Sequence, residues 1–514
     1  MLAYIGRRIA VMLVILFGSS FLIYNAAAYS GDPTEGLRAS TDPKAHAKLL
    51  SLIRELHLNI PPPARFFIWL NGIGKIFTGH LDLGRARDGT LVSTNIAGAI
   101  PVTIRLILLS FILAVLIGIG FGIVSALRQY SRFDYALTFI AFLMYSLPIF
   151  WVAVLLKEYL AISFNNFLLN GKIAPIWILC ASAVSGLFWA AVISGTRRKV
   201  FSIFAIAASA NALILEFLSI TKWFTHPGLG PIMMLILGIG FALGVTYLST
   251  GIGNKAALRS SIAVVIVGFI LYFPVEYFLK NYASLLTVGL MLGITIAIAV
   301  GLGSFFAKVD RGPIVRTSII TSIFVGILFI IDKLMKTWVP YVNTDAIHQR
   351  PIPTISQSND LLPSGNFWFS TLDTVLHLVL PTIALILIGM AAYIRYSRGT
   401  MLEVLNQDYI RTARAKGLPE RTVIMRHAFR NTLIPITTIL VVDFAGILGG
   451  AIITERVFGW RGMGTQFNVA VRDQDLNLLM GVTIFTSSLI IIANLVADLL
   501  YSALDPRIRV VGKK

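Results

Sequence analysis

The densest grouping of side chains able to do chemistry lies between Arg395 and Arg430, which encloses Arg398, Arg411, Arg414, Lys416, Arg421 and Arg426. Within it, Asp408-Tyr-Ile-Arg-Thr-Ala-Arg-Ala-Lys416 reads as a short helix that stops at Gly417, where a left-handed conformation meets no Cβ clash. Leu418-Pro419-Glu420 then allows a sharp turn and a second helix start, since proline suits the first helical turn. The pattern predicts helix, glycine turn, helix. Tyr409, Ala413 and Ala415 leave part of the first helix small enough for close approach to a partner surface. The chemistry on offer is docking, not bond making. A basic loop that only obeys membrane topology accounts for the same spacing.

Other chemistries find little support. No Gly-x-x-x-x-Gly-Lys-Ser/Thr phosphate loop occurs, so any ATP-derived energy must come from another chain. Neither His-Glu-x-x-His nor Gly-x-Ser-x-Gly is present, and the 7 histidines show no ligand spacing. The single cysteine, Cys180, excludes an internal disulfide and a cysteine metal cluster. The carboxylates Glu216, Glu276, Asp443 and Asp498 fall in apolar runs, where ionisable groups suit an ion-coupled secondary transporter. Glu216 and Glu276 lie near run ends, within snorkelling reach of water, and the two halves of the chain show no repeat pairing.

The elements that position the basic segment are membrane helices. The chain has 514 residues, 56% hydrophobic and 13% charged, with a mean hydropathy of +0.81. An average soluble domain carries about 25% charged residues. Apolar runs fall at 9–29, 100–127, 135–163, 173–194, 200–220, 231–250, 260–279, 284–306, 314–335, 375–394, 434–454 and 478–501. At about 20 residues per crossing they make about twelve helical spans, too long for barrel strands. The net charge of +19 reflects loop topology and not nucleic-acid binding, for no recognition motif accompanies it. Arg197, Arg198, Lys199, Lys255, Arg259, Lys308, Arg311 and Arg316 occupy alternate loops, against Lys222 and Lys280 in the others, which places the former and both termini inside. The first run follows Arg7-Arg8 and ends near Ala26-Ala27-Ala28, so a cleaved signal peptide is an alternative to a retained helix. Residues 30–95, with Pro33, Pro43 and Pro61-Pro62-Pro63, read as a small water-exposed outer cap.

The segment Asp408 to Leu418, followed by Arg426-His-Ala-Phe-Arg-Asn-Thr-Leu-Ile-Pro435, resembles the cytoplasmic EAA loop of ABC importer permeases, B-type members of the dipeptide, oligopeptide and nickel branch. Further likenesses are the Met1 to Arg8 start, Gly31-Asp32-Pro33, Leu362-Pro363-Ser364-Gly365, Glu455 to Gly464, and Asp498 to Arg509. The naming triplet is replaced by Arg411-Thr412-Ala413, which leaves Ala413 and Gly417 of the general pattern. The resemblance implies an all-α integral membrane protein and a transport subunit that is not itself an enzyme, working in the plasma or inner membrane. Its implied partners are a second homologous permease, two ATP-binding subunits that hold ATP and Mg, and an extracytoplasmic binding protein. No cofactor and no metal is expected in this chain. The coupling contact is expected at Asp408, Tyr409, Arg411, Thr412, Ala413, Arg414, Ala415, Lys416, Gly417 and Leu418. The outer gate and binding-protein contact is expected at Glu455, Phe458, Gly462 and Gly464. Peptides are the implied cargo, with nickel or another small solute as the alternative.

Such permeases resemble six-span proteins, so the runs within 172–340 read as an inserted six-helix bundle that returns the chain to the same side. The remaining layout is a first helix at 1–29, cap at 30–95, core helices at 96–171, and core helices at 341–514 with the coupling loop at 395–434. Gly118 with Gly122, and Gly446 with Gly450, have the spacing that lets helix backbones approach closely.

Overall fold

The computed structural model describes residues 2–38, 41, 43–79, 81–193, 195–307, 311–363, 365–449 and 451–504. Among these there is no named strand, only an isolated bridge between Arg85 and Leu91. The helices run along the chain as α1 (Leu2–Ser30), α2 (Glu35–Arg38), α3 (Pro43–Glu55), α4 (Pro62–Gly74), α5 (Val92–Leu127), α6 (Arg132–Ser146), α7 (Ile149–Leu156) and α8 (Ser163–Asn170). Next come α9 (Pro175–Val192), α10 (Arg197–Ile220), α11 (Gly230–Ser249), α12 (Lys255–Ile270), α13 (Tyr272–Asn281), α14 (Leu285–Phe306) and α15 (Arg311–Val342). The last are α16 (Phe367–Leu405), α17 (Asp408–Ala415), α18 (Glu420–Thr422), α19 (Phe429–Leu448), α20 (Ile452–Phe458), α21 (Met463–Arg472) and α22 (Leu476–Leu504). By length and composition, 11 helices can cross a membrane, or up to 12 with one bent pair included. The molecule is an all-α integral membrane protein.

Two expected spans are broken, each at a proline. The run at 135–163 stops at Ser146, because Leu147 is held extended before Pro148 (φ −81, ψ 129) and α7 starts anew behind it. The candidate span is therefore Ile149–Asn170. The run at 260–279 bends by 56° between α12 and α13. Pro274 explains the bend, since it has no N–H for the Ile270 carbonyl and its ring crowds that oxygen. The run at 434–454 is displaced, with α19 ending at Leu448 and a separate α20 following.

The chain forms two compact units. The first comprises Met1–Leu160, Thr354–Gln357 and Leu378–Lys514. Its 30–95 segment is less water-exposed than its prolines suggest. Phe66 and Trp69 of α4 are buried with Tyr24 of α1, Val92 and Ile96 of α5, and Met463, Leu478 and Met480 further along the chain. Gly118 and Gly122 of α5 lie against α16, where a Cβ on Gly118 would meet Tyr393 Cβ and one on Gly122 would meet Ser397 Oγ and the Ile394 carbonyl. Both glycines are thus explained by packing within this chain. Gly450 lies outside the described residues, as do Ser364 and Asp505 to Arg509.

The second unit comprises Ala161–Pro353 and Ser358–His377. In it α11, α12 and α15 meet along small polar residues, with Thr246, Ser260, Ser261, Thr317, Ser318, Thr321 and Ser322 all fully buried. Ser249 bonds Thr317 at 2.9 Å, and Ser260 bonds Ser318 at 2.5 Å. Such side chains supply helix association where the surrounding solvent is itself apolar. At one end of the bundle, buried Asp332 accepts from Leu229 N and Gly230 N, both at 3.0 Å, and from Tyr272 Oη at 2.7 Å. Lys336 joins this cluster at 3.4 Å from Asp332 and 2.6 Å from Glu276.

Candidate functional site

The basic segment folds as a docked helix, a glycine turn and a second helix. α17 buries Ile410 and Ala413 among Met401, Val404, Val423, Ala428 and Ala126, so its inner stripe packs on its own chain. Two bonds close its C-terminus, from Gly417 N to the Arg414 carbonyl at 2.9 Å and from Leu418 N to the Ala413 carbonyl at 3.4 Å. This is a Schellman stop, with Gly417 left-handed at φ +73. Across the turn, Arg414 donates to both oxygens of Glu420, at 2.7 and 3.2 Å. Beside that guanidinium the Glu420 carboxyl is held below its usual range. Pro419 caps α18, and the chain continues through a π-helical turn, Val423–Ala428, into α19.

Ala413 differs from its neighbours in the expected contact, being buried at 7% exposure. It points into the protein, so a charged residue there would disturb folding before it bears on docking. Asp408, Tyr409, Arg411, Thr412, Arg414, Ala415, Lys416, Gly417 and Leu418 form the exposed remainder of the segment. A small residue reads alike in either position, so sequence pattern alone does not separate them.

Sequence reasoning missed what fastens this segment to the rest of the unit. Asp134, near the start of α6, is buried and accepts from Arg398 Nε at 2.8 Å and Nη2 at 2.9 Å. It also accepts from Ser125 Oγ and from Tyr130 N, the latter at 3.0 Å. Burial raises the Asp134 carboxyl, but the Arg398 guanidinium, the Ser125 hydroxyl and the Tyr130 amide together hold it below its ordinary value. Arg398 lies about one turn before Met401 and two before Val404, the α16 residues that receive α17. The loop at 128–134 is thereby tied to the docking platform.

The second expected site, at Glu455 to Gly464, is an internal framework. Glu455 and Phe458 are buried at 0% and 2% exposure, and Gly462 and Gly464 are buried too. All four lie beneath the surface, where the exposed residues are Ile453, Arg456, Gly459 and Arg461. Glu455 accepts from Thr103 Oγ1 at 2.9 Å and from Thr465 N at 2.8 Å, while Met463 N donates to Thr103 Oγ1 at 2.8 Å. Burial lifts the Glu455 carboxyl above its ordinary value despite these bonds. A Cβ on Gly462 would strike Thr103 and Glu455, and one on Gly464 would sit 2.6 Å from Ile452 Cα. Lys157 donates to the Val457 carbonyl at 2.5 Å, placing a cation at the C-terminus of α20. An acid in a loop reads as solvated, and only the three-dimensional return of Thr103 reveals otherwise.

Of the four carboxylates that the sequence places in apolar runs, Asp498 pairs with Arg8 at 2.7 Å, Glu276 with Lys336, and Asp443 accepts from Tyr393 Oη at 3.2 Å. Glu216 is exposed on α10.

Long apolar helices around a docked helix, turn and helix define a multi-pass membrane protein. Residues 289–510 match the family described as binding-protein-dependent transport system inner membrane component. Over that stretch the chain is similar to this family of permease subunits. It is 42% identical over 147 residues to the oligopeptide transport system permease protein OppB of Mycobacterium tuberculosis, which covers 29% of this chain and 45% of that protein. It is 43% identical over 145 residues to the dipeptide transport system permease protein DppB of Escherichia coli, covering 28% and 42%. These two alignments span less than half of the relatives' length. With the oligopeptide transport system permease protein AppB of Bacillus subtilis it is 25% identical over 512 residues, 99% of each chain.

Proposed function

We propose that this chain is one permease subunit of an ATP-driven importer that passes peptides, received from an extracytoplasmic binding protein, across the cell membrane. A second homologous permease would complete the pathway, and two ATP-binding subunits would hold ATP and Mg. The observation that carries this reading is α17, fixed on its own chain by Ile410 and Ala413 and leaving Tyr409, Arg411, Thr412 and Lys416 outward. A helix seated in this way moves as a body with α16 and α19, so a partner that grips its outer face tilts those helices. Peptide cargo is supported by the names of the relatives. The basic loops favour cytoplasmic termini and a cytoplasmic α17. The stretch 172–340 is assigned to an accessory helical bundle, although the family match begins at 289, within it.

The reading is tested with cysteines at Tyr409 or Lys416 in the assembled complex. Each is expected to cross-link to an ATP-binding subunit, whereas capture by the binding protein would reverse the orientation. The purified chain alone should hydrolyse no ATP; turnover by it would reject the assignment.

Gly417→Val gives a graded companion test. Nothing crowds a Cβ at Gly417, so the cost is that of the left-handed backbone, about 1–2 kcal/mol or slightly more for a β-branched residue. The protein should still insert, while ATP hydrolysis by the complex becomes partly uncoupled from uptake. Unchanged coupling in reconstituted vesicles would remove the turn from the mechanism.

A further inference from the structure

Within the second unit, α12, α13, α14 and α15 enclose an apolar groove of about 410 Å³. Its walls include Val267, Leu271, Leu292, Ile294, Ile323 and Ile327. Leu292, Ile294 and Ile327 remain 44%, 59% and 45% exposed, so the groove opens sideways, toward the surroundings of the helices. Thr295, a polar residue of its lining, spends its hydroxyl on the Met291 carbonyl at 2.7 Å and offers no hook. A Cβ on Gly326, another lining residue, would meet nothing within 4 Å.

Position and charge identify the occupant. The lining residues of α15 run from Ile323 to Ile330, and Lys333 and Lys336 follow just beyond. Lys280 follows the lining residues Phe278 and Leu279 of α13. The groove thus reaches from the level of these lysines inward, and α15 rises roughly 15 Å between Ile323 and Lys333. That is half of a hydrocarbon core of about 30 Å, the depth of one leaflet. The exposed rings of Tyr277 and Tyr282 stand beside Lys280, as aromatic side chains do at a headgroup boundary. Lys336 is paired with Glu276, but Lys280 and Lys333 have no carboxylate at ion-pair distance among the described residues. Lys333 lies instead over the Trp368 ring, 6.0 Å from its centre. A second protein helix is a poor occupant. Close helix packing in lipid relies on small or hydrogen-bonding residues, and these walls are mainly Val, Ile, Leu, Met and Phe.

We propose that this groove is a binding site for one anionic phospholipid, with an acyl chain along α14 and α15 and the phosphate held by Lys280 and Lys333. The site requires only that the bundle lie in a membrane, independent of what the protein transports. Its role is to anchor the bundle to a particular class of lipid at one membrane face.

The test uses the full-length chain, purified in detergent and exchanged into mixtures of dioleoyl phosphatidylglycerol and dioleoyl phosphatidylcholine, with retained lipid counted by native mass spectrometry. A lysine near an anionic headgroup contributes roughly fivefold in affinity, so with two of them phosphatidylglycerol should be retained roughly 25-fold over phosphatidylcholine. Gly326→Phe should fill the groove and abolish retention of either lipid. Lys280→Gln with Lys333→Gln should abolish the preference while leaving neutral lipid bound. Equal retention of the two lipids by the unaltered chain would overturn the proposal, as would a preference that survives both variants. So would efficient cross-linking of a cysteine at Leu292 to a second protein subunit, which would make the groove a helix interface.

Discussion

Replacing Arg398 by alanine is expected to lower the stability of the first unit by about 3–5 kcal/mol, the usual cost of leaving a buried carboxylate without its cation. Asp134 is only 3% exposed in its side chain, and its remaining donors, Ser125 Oγ and Tyr130 N, do not replace a bidentate guanidinium. Asp134→Asn should cost less, because the Arg398 side chain left behind is 27% exposed and water can reach it. The two changes should be strongly non-additive in a double-mutant cycle measured by thermal unfolding in detergent; additive losses would mean that the pair is not coupled. The sign of the pH dependence follows from the depressed Asp134 value. Its stabilisation is fully present above the ordinary aspartate pKa of about 3.9 and is lost as pH falls through the lower folded value. Below about pH 4 the unaltered protein should therefore lose melting temperature more steeply than Asp134→Asn.

The second large effect is expected at Glu455. Glu455→Ala removes the acceptor for Thr103 Oγ1 and Thr465 N and leaves a void beside Gly462, for an expected loss of about 2–4 kcal/mol. Glu455→Gln keeps the volume, but its amide nitrogen must face one of two donors, so it should lose about 1–3 kcal/mol. Uptake by the complex should fall with both, while binding of the ATP-binding subunits, which the α17 region would mediate, should persist. Loss of that binding in Glu455→Gln would show that the Glu455 framework and the α17 surface are not separable.

The sequence conveyed the helical architecture well where length and punctuation suffice. Gly417 was readable because a helix followed by glycine and Leu-Pro has few ways to continue. The breaks at Pro148 and Pro274 carried an equally local signal, yet the apolar runs around them masked it. What was not readable depends on return of the chain. The Asp134 and Arg398 side chains are 264 residues apart in sequence, and Thr103 reaches Glu455 over 352. No spacing rule connects them. Glu455, Phe458, Gly462 and Gly464 were singled out as a group, but whether such a group faces outward or builds the wall behind a surface is settled by packing alone.

The Asp332 cluster bears on how the protein is made. An aspartate at the centre of an inserting helix opposes membrane entry by about 3 kcal/mol, and less toward the helix ends. Asp332 is met by Leu229 N, Gly230 N and the Tyr272 hydroxyl, all of which leave the ribosome before it does. When α15 emerges, the groups that receive its carboxylate have already been synthesised. The order of synthesis thus makes α11 and the bent pair α12 and α13 a template for α15, and a chain that lacks those helices would deliver α15 to the bilayer with its acid unreceived.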